Sequence, residues 1–354
     1  MIIIQGNLDY GCLLQHPSKV PFCNKSESMG SLFLIVLVMK KIPSVDLSHF
    51  VSGSIEKKET FVKALASAFE TIGFVALNGH SLSPDMQQAL YEQVSQFFSL
   101  PQASKNQYII KGGGGQRGYT AFGKEHAKGQ SKGDLKEFWH FGQEIANDES
   151  LKQTYPANIV VTELPEFNGV GMKVFKELER IALKVLQALA IHLGLEDHYF
   201  NSFVLRGNSI LRAIHYPPIT SPPEGAVRAA AHGDINLITL LMGAQGSGLQ
   251  VQNHQGEWIE ASADKNALII NIGDMLSRLT NNKLKSTLHR VVNPQKEFWD
   301  KPRYSIPFFM HPIHEMDLTC LPQCIDEAHP KQYEDITAGQ FLTLRLHELG
   351  LLKN

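Results

Sequence analysis

Cysteine is scarce in this chain. There are four in 354 residues: Cys12, Cys23, Cys320 and Cys324. That excludes a disulfide-framed secreted scaffold and points to a reducing compartment, taken here as the cytoplasm. Cys320 and Cys324 lie close together, but no second Cys or His pair completes a zinc pattern, so they read as semi-buried thiols. Net charge is also nearly absent, at a formal −2. A chain so balanced gives no electrostatic case for nucleic acid or an anionic membrane surface as its main partner. Long hydrophobic runs are missing too. The strongest, SLFLIVLVM ahead of Lys40 and Lys41, falls well short of the ~20 residues that span a bilayer. Its basic residues follow the apolar run, whereas a secretory signal has them in front. No internal repeat or low-complexity tract is present. The glycine-rich stretch KGGGGQRGY (111–119) has no Lys-Ser/Thr after its glycines. It therefore matches no phosphate-binding fingerprint and reads as a surface loop, or as a loop over an active site.

What remains is ordinary globular composition, 43% hydrophobic and 19% charged, with ample apolar material for a large core. Three stretches are expected: a leader over 1–38 outside the working protein, an α/β region over 39–155, and a strand-rich core with one long supporting helix over 156–354. In the second stretch Phe61, Leu65, Phe69 and Ile72 form a helical stripe ending at Gly73. FVALNGH then reads as a short buried strand. Ser83 and Pro84 open a further helix with Leu90, Val94 and Phe97 on one face, and Pro101 closes it. DLKEFWHFG (134–142) reads as a buried strand, with Phe138, Trp139, His140 and Phe141 near any pocket. Residues 168–193 carry apolar positions at helical spacing (Met172, Phe175, Leu178, Ala182, Val185, Leu189, Leu193), stopped by Gly194. After residue 205 short apolar runs alternate with Gly, Pro and Asn turns. The fold class is therefore α+β with a mainly β core, most plausibly a double-stranded β-helix, or jelly roll.

Three features in that region carry chemistry. In AAAHGDINLITLLM, His232 and Asp234 stand two apart, which on an extended chain aims both at one point. His289, in KSTLHRVVNP, is the candidate third ligand. Two His and one carboxylate on one face of a metal leave three positions open, the arrangement of non-haem Fe(II) oxygenases; zinc usually leaves one. Arg303 and Ser305, in RYS, again share a strand face. An inward guanidinium needs an anion, either an internal carboxylate or a ligand's. His192, His215, His254, His311 and His314 have no spacing that recruits them, and Trp258 with the GLQV strand reads as packing.

From about residue 39 to the C-terminus the chain resembles the isopenicillin N synthase-like 2-oxoglutarate/Fe(II)-dependent dioxygenases. IPSVDLSHF and GFVALNGH look like the family's N-terminal region; HYPP, HGDINLITLL, GLQV, NIGDML, LTNNKLKSTLHRV and RYSIPFF look like its catalytic core. The resemblance implies His232, Asp234 and His289 as iron ligands. It implies Arg303 and Ser305 on the distal carboxylate of 2-oxoglutarate, with Tyr216 of HYPP reaching the same co-substrate. Ile214 stands where the family often has an Asn two residues before that tyrosine, which removes a polar contact. The implied reaction couples decarboxylation of 2-oxoglutarate, with O2, to oxidation of a small organic substrate, hydroxylation by default, with ascorbate as activator and a monomeric enzyme. A 2-oxoglutarate-independent oxidase and an ethylene-forming enzyme are alternatives within the family. A non-catalytic roll would need no open iron site, and a zinc hydrolase would leave Arg303 and Ser305 unexplained.

If the leader lies outside the working protein, mass spectrometry of the native protein should find an N-terminus at Met39; peptides from residues 1–38 would overturn that reading.

Overall fold

The computed structural model describes residues 42–110, 115–125, 133–144, 149–223, 225–243 and 248–348. The leader and residues 111–114 of the glycine-rich stretch lie outside them. Helices form where stripes and caps coincide. Helix α1 (Ile55–Thr71) starts at Ser54, whose hydroxyl accepts from the Lys57 amide, and it buries Phe61, Leu65 and Phe69. Gly73 follows at φ +73°, the left-handed turn that stops it. Helix α2 (Pro84–Phe98) has Ser83 as its N-cap and Pro84 in its first turn. Helix α3 (Phe167–His192) is the long supporting helix and ends at Gly194, φ +67°. Two later helices, α4 (Asp274–Leu279) and α5 (Ala338–Glu348), flank the strand-rich part.

The strands are β1 (Ser44–Asp46), β2 (Phe74–Asn78), β3 (Gly118–Thr120), β4 (Glu137–Gly142), β5 (Ile210–Tyr216) and β6 (Ala229–His232). They continue as β7 (Ile238–Met242), β8 (Leu249–Gln252), β9 (Trp258–Glu260), β10 (Leu268–Ile272), β11 (His289–Val291) and β12 (Arg303–Met310). Eight form one sheet in the order β1-β2-β10-β7-β12-β5-β4-β3, and four form another in the order β6-β11-β8-β9. Among these strands the β1–β2 pair runs parallel; every other pairing is antiparallel. Strands from both sides of residue 155 share the large sheet.

The large sheet is buried on both faces, and alternation sorts its side chains between them. Leu77, Ile270, Leu240, Phe308, Leu211 and Phe141 point to one face and join the main core with α1, α2 and α3. Phe74, Ala76, Ile269 and Leu241 point to the other, where they pack against Leu249, Val251 and Val291 of the small sheet. The two sheets thus enclose a second core, apolar at one end, as a jelly roll requires. On the same inner face lie Phe138, Arg212, Ile214, Tyr216, Arg303, Ser305 and Phe309, by register with one another. Among the described residues no helix is long and apolar enough to cross a membrane.

Two glycines give opposite predictions. A Cβ at Gly73 would meet Lys285 O at 2.2 Å and Thr287 Oγ1 at 2.6 Å, on a backbone that L-residues resist. Gly73→Ala should cost about 2 kcal/mol or more, since left-handed backbone alone costs roughly 1–2 kcal/mol. Gly169, exposed in α3, has nothing within 4 Å of a Cβ. Gly169→Ala should stabilise by up to about 1 kcal/mol. Urea denaturation of both variants checks the signs.

Candidate metal and co-substrate site

His232 closes β6 and His289 opens β11, and the two stand opposite each other in antiparallel register. Their ring centroids are 4.4 Å apart. Asp234 lies beyond the end of β6, in the turn that leads to β7. The strand ends at His232, yet the two side chains, two residues apart, still reach one point. β6 is also bulged, three residue steps on it (229 to 232) facing two on β11 (289 to 291). The result is one ligand atom from each of His232, Asp234 and His289, all within 4.8 Å of one another. Among the described residues no other group of His, Cys, Asp or Glu meets that condition.

Each ligand is held from behind. The His232 Nδ1 lies 2.7 Å from the Ala230 carbonyl and the His289 Nδ1 lies 3.2 Å from the Thr287 carbonyl. A carbonyl can only accept, so Nδ1 carries the proton in both rings and Nε2 keeps its lone pair for a metal. Asp234 Oδ2 accepts from Thr239 Oγ1 at 2.6 Å and from Asn271 Nδ2 at 2.8 Å. Asp234 Oδ1, facing the His289 Nε2 at 3.8 Å, is left for the ion. Burial would raise the Asp234 carboxyl, but the His289 and His232 rings and these hydrogen bonds outweigh it, so its pKa falls. Burial, helped by the neighbouring His289, pushes His232 down to about 4. Two imidazoles with Nε2 turned inward and one carboxylate are the donor set that suits Fe(II) with open positions.

Further along the inner face, Arg303 stands opposite Tyr216 and Ser305 opposite Ile214. The Arg303 guanidinium lies 5.1 Å from the Tyr216 ring centroid. Arg303 is 2% exposed, and its Nε, Nη1 and Nη2 all lack a hydrogen-bond partner among the described residues. The internal salt bridge weighed from the sequence is absent among the described residues. A buried, unpaired guanidinium is costly, and a carboxylate ligand meets the need of its planar fork. The three candidate ligands thus come together, and Arg303, Ser305 and Tyr216 share the inner face of the large sheet.

Sequence reading missed four others. Arg228, just before β6, is 4% exposed and lies 5.7 Å from the same Tyr216 ring. Arg212, on β5, sits 4.2 Å from the Phe138 ring and 5.3 Å from the Phe309 ring. Its Nε donates to His140 Nε2 at 2.6 Å, and its Nη1 faces both Glu125 oxygens at 3.2 Å. His140 is in turn fixed by the Gly115 carbonyl. Lys136 pairs with Glu125 at 2.8 Å and Asp134 at 2.9 Å. His311, read from the sequence as core or surface, lies near enough to Asp234 and Arg212 for both charges to act on it. Arg212 is on the same face as Tyr216, four residues on, so alternation along β5 was the available signal. Cys320 and Cys324 are buried, free thiols outside this cleft. A separate cavity of about 650 Å³, lined by Tyr91, Glu260 and Asp264 among others, contains none of the six site residues.

Comparison with known proteins agrees with this geometry. Residues 42–163 match the family model described as non-haem dioxygenase in morphine synthesis N-terminal, and residues 207–312 match the 2OG-Fe(II) oxygenase superfamily. A 2-oxoglutarate-dependent dioxygenase of Aspergillus rugulosus is 30% identical over 330 residues, covering 85% of this chain and 97% of the relative. A crystal structure of a protein from Caulobacter crescentus, assigned to the 2OG-Fe(II) oxygenase family, is similar at TM-score 0.79 and 41% identity, covering 87% of this chain and 99% of that one. A full-length Neurospora crassa protein, solved in complex with alpha-KG and thymine, is similar at TM-score 0.76 and 31% identity, covering 86% and 96%. With the roll, the triad and these relatives together, the chain belongs to the isopenicillin N synthase-like 2-oxoglutarate/Fe(II)-dependent dioxygenases, and is a non-haem iron oxygenase that uses 2-oxoglutarate.

Proposed function

We propose that His232, Asp234 and His289 hold the Fe(II), that Arg303, Ser305 and Tyr216 hold the distal carboxylate of 2-oxoglutarate, and that the enzyme hydroxylates a small planar molecule bearing a carbonyl or carboxylate. The observation that carries the reading is Arg303: three buried N–H-bearing nitrogens without a partner, on the inner face that also carries the inward Asn271 and Thr239 behind Asp234. Bound iron, with 2-oxoglutarate and O2, supplies the oxidising chemistry. The chain's own residues orient and exclude. The Ala230 and Thr287 carbonyls fix the two imidazoles, while Phe74, Leu241, Ile269 and Val251 close the apolar end of the cleft to water.

The substrate class rests on Arg212. Its guanidinium lies against two phenyl rings, and His140 and Glu125 take its Nε and Nη1. Nη2 has no hydrogen-bond partner among the described residues and is the donor available to a carbonyl or carboxylate. His140 accepts there as a neutral ring, since burial and then the Arg212 charge drive its pKa well down. Thymine, with which the Neurospora crassa protein has been solved, is a planar molecule of this kind. A reducing, cytoplasmic setting belongs to the same proposal and is supported by the buried free thiols of Cys320 and Cys324.

The ligand and substrate assignments are tested separately. Protein given Fe(II), ascorbate, O2 and 2-oxoglutarate should release succinate, whereas His232→Ala should release at least about 1,000-fold less, because a two-ligand site holds the metal poorly. Equal succinate from both would sink the ligand assignment. In a panel of pyrimidines and other planar carbonyl compounds, true substrates should stimulate succinate release. Arg212→Gln should raise the KM for such a substrate about 10- to 100-fold, the loss of one charged hydrogen bond, and leave substrate-free succinate release within about two-fold. An unchanged KM would remove Arg212 from the substrate site.

A further inference from the structure

The inner cleft holds four buried or half-buried cations, and they divide cleanly. Lys136 and Arg212 have carboxylates within 3.2 Å, supplied by Asp134 and Glu125. Arg303 and Arg228 have none among the described residues. Among the described residues Arg228 has one hydrogen bond, from Nη2 to the Lys301 carbonyl at 3.4 Å, and its Nε has no partner. That contact is at the long limit of a hydrogen bond and leaves a full charge nearly unsolvated. Lys301 stands two residues before Arg303, so the bond brings the Arg228 head to the start of β12. Both guanidinium groups also lie against one ring, that of Tyr216, at 5.7 Å and 5.1 Å. Arg228 comes from the edge of the small sheet and Arg303 from the large one, so they meet across the cleft.

Two cations that share one ring and are largely withdrawn from solvent repel each other. Burial lowers the Arg228 pKa, and the Arg303 charge lowers it further. Such a pair persists where an anion shared by both offsets the repulsion. A carboxylate has about four acceptor sites and can take N–H groups from two guanidinium forks at once.

We propose that Arg228 is a second arginine for the distal carboxylate of 2-oxoglutarate, so that Arg303 and Arg228 clamp that group from opposite sheets with Tyr216 between them. The proposal rests on the assignment of Arg303 to the co-substrate and extends it to a residue outside the Arg-x-Ser pair. The co-substrate then has a structural role as well, because its carboxylate ties the mouth of the small sheet to the large sheet at the end away from the apolar core.

Calorimetric titration of the Fe(II)-loaded protein without O2 tests this, because it reads binding and not turnover. The two titrants are 2-oxoglutarate and 2-oxovalerate, which has the same keto acid and chain length but no distal carboxylate. Wild type should prefer 2-oxoglutarate strongly. Arg228→Gln should weaken 2-oxoglutarate about 10- to 100-fold, the size expected for a lost charged hydrogen bond, and leave 2-oxovalerate within about two-fold. Arg228→Lys should restore part of the loss. Equal weakening of both titrants would make Arg228 a packing residue and overturn the proposal. So would unchanged 2-oxoglutarate binding with a raised KM for a prime substrate. Arg303→Gln separates the two assignments. If it abolishes the preference while Arg228→Gln keeps it, the second arginine alone fails; if wild type shows no preference, the Arg303 assignment fails with it.

Discussion

The cross-strand pair of His232 and His289 is the constraint on which the rest of the site depends. A metal cannot gather ligands that the chain leaves far apart without moving backbone, and here antiparallel register has already set two imidazoles face to face. That register has its own supports. The segment entering β11 is held by α1, through the Lys285 amide on the Phe69 carbonyl at 3.0 Å and the Thr287 hydroxyl on the Ile72 carbonyl at 2.8 Å. The turn carrying Asp234 is held by α4, whose Asp274 amide donates to the Asp234 carbonyl at 2.7 Å. The N-terminal helix is therefore part of the candidate metal site in a physical sense: its C-terminal turn fixes where His289 enters.

The large sheet does two jobs because its strands are buried on both faces. One face is mostly hydrocarbon, stacked on three helices, with a buried Lys105–Glu137–His215 group toward one end, and it supplies the bulk of the burial that holds the fold. The opposite face is free to change character along its length. It is apolar where Phe74, Ala76, Ile269 and Leu241 pack on the small sheet, carries Thr239 and Asn271 behind Asp234, and presents Arg212, Arg303 and Ser305 on β5 and β12. A one-residue slip of β12 would turn Arg303 and Ser305 into the helix-packed core and Tyr304 and Ile306 into the cleft. On the helix-packed face Arg303 would crowd the Lys105–Glu137–His215 group and Ile306 would lose its place in the core, so charge and packing together specify the register.

Much of this was legible in the chain, and for identifiable reasons. Helix α3 shows its stripe and its Gly194 stop, and α2 shows its Ser83–Pro84 start, because caps and 3.6-residue spacing are local. The Arg303–Ser305 pair was legible because β12 is a regular strand. His232 and Asp234 were picked out by their two-residue spacing, and their side chains reach one point although β6 ends at His232. Arg228 left no trace, because it precedes a bulged strand and its role depends on Lys301, Arg303 and Tyr216, distant in sequence. The split of DLKEFWHFG, with Trp139 and Phe141 in the core and Phe138 beside Arg212, was hidden for a related reason. A strand buried on both faces reads as one continuous apolar run.

The charges of the cleft explain why its specificity is the least legible part. Burial alone would keep Glu125 protonated, yet Arg212 and Lys136 hold its carboxyl far below the ordinary range. Glu125, Asp134, Lys136 and Arg212 therefore form a closed set, two charges of each sign, which builds the wall and leaves one guanidinium nitrogen over. Arg303 and Arg228 form an open set. In a buried cleft a cation whose donors are all taken by carboxylates is structural, and guanidinium nitrogens left over are where an anionic or carbonyl ligand gains most. Which arginine falls into which set depends on whether a carboxylate from another strand reaches it. A sequence names the arginines; only the pairing in three dimensions separates those that hold the protein together from those that wait for a ligand.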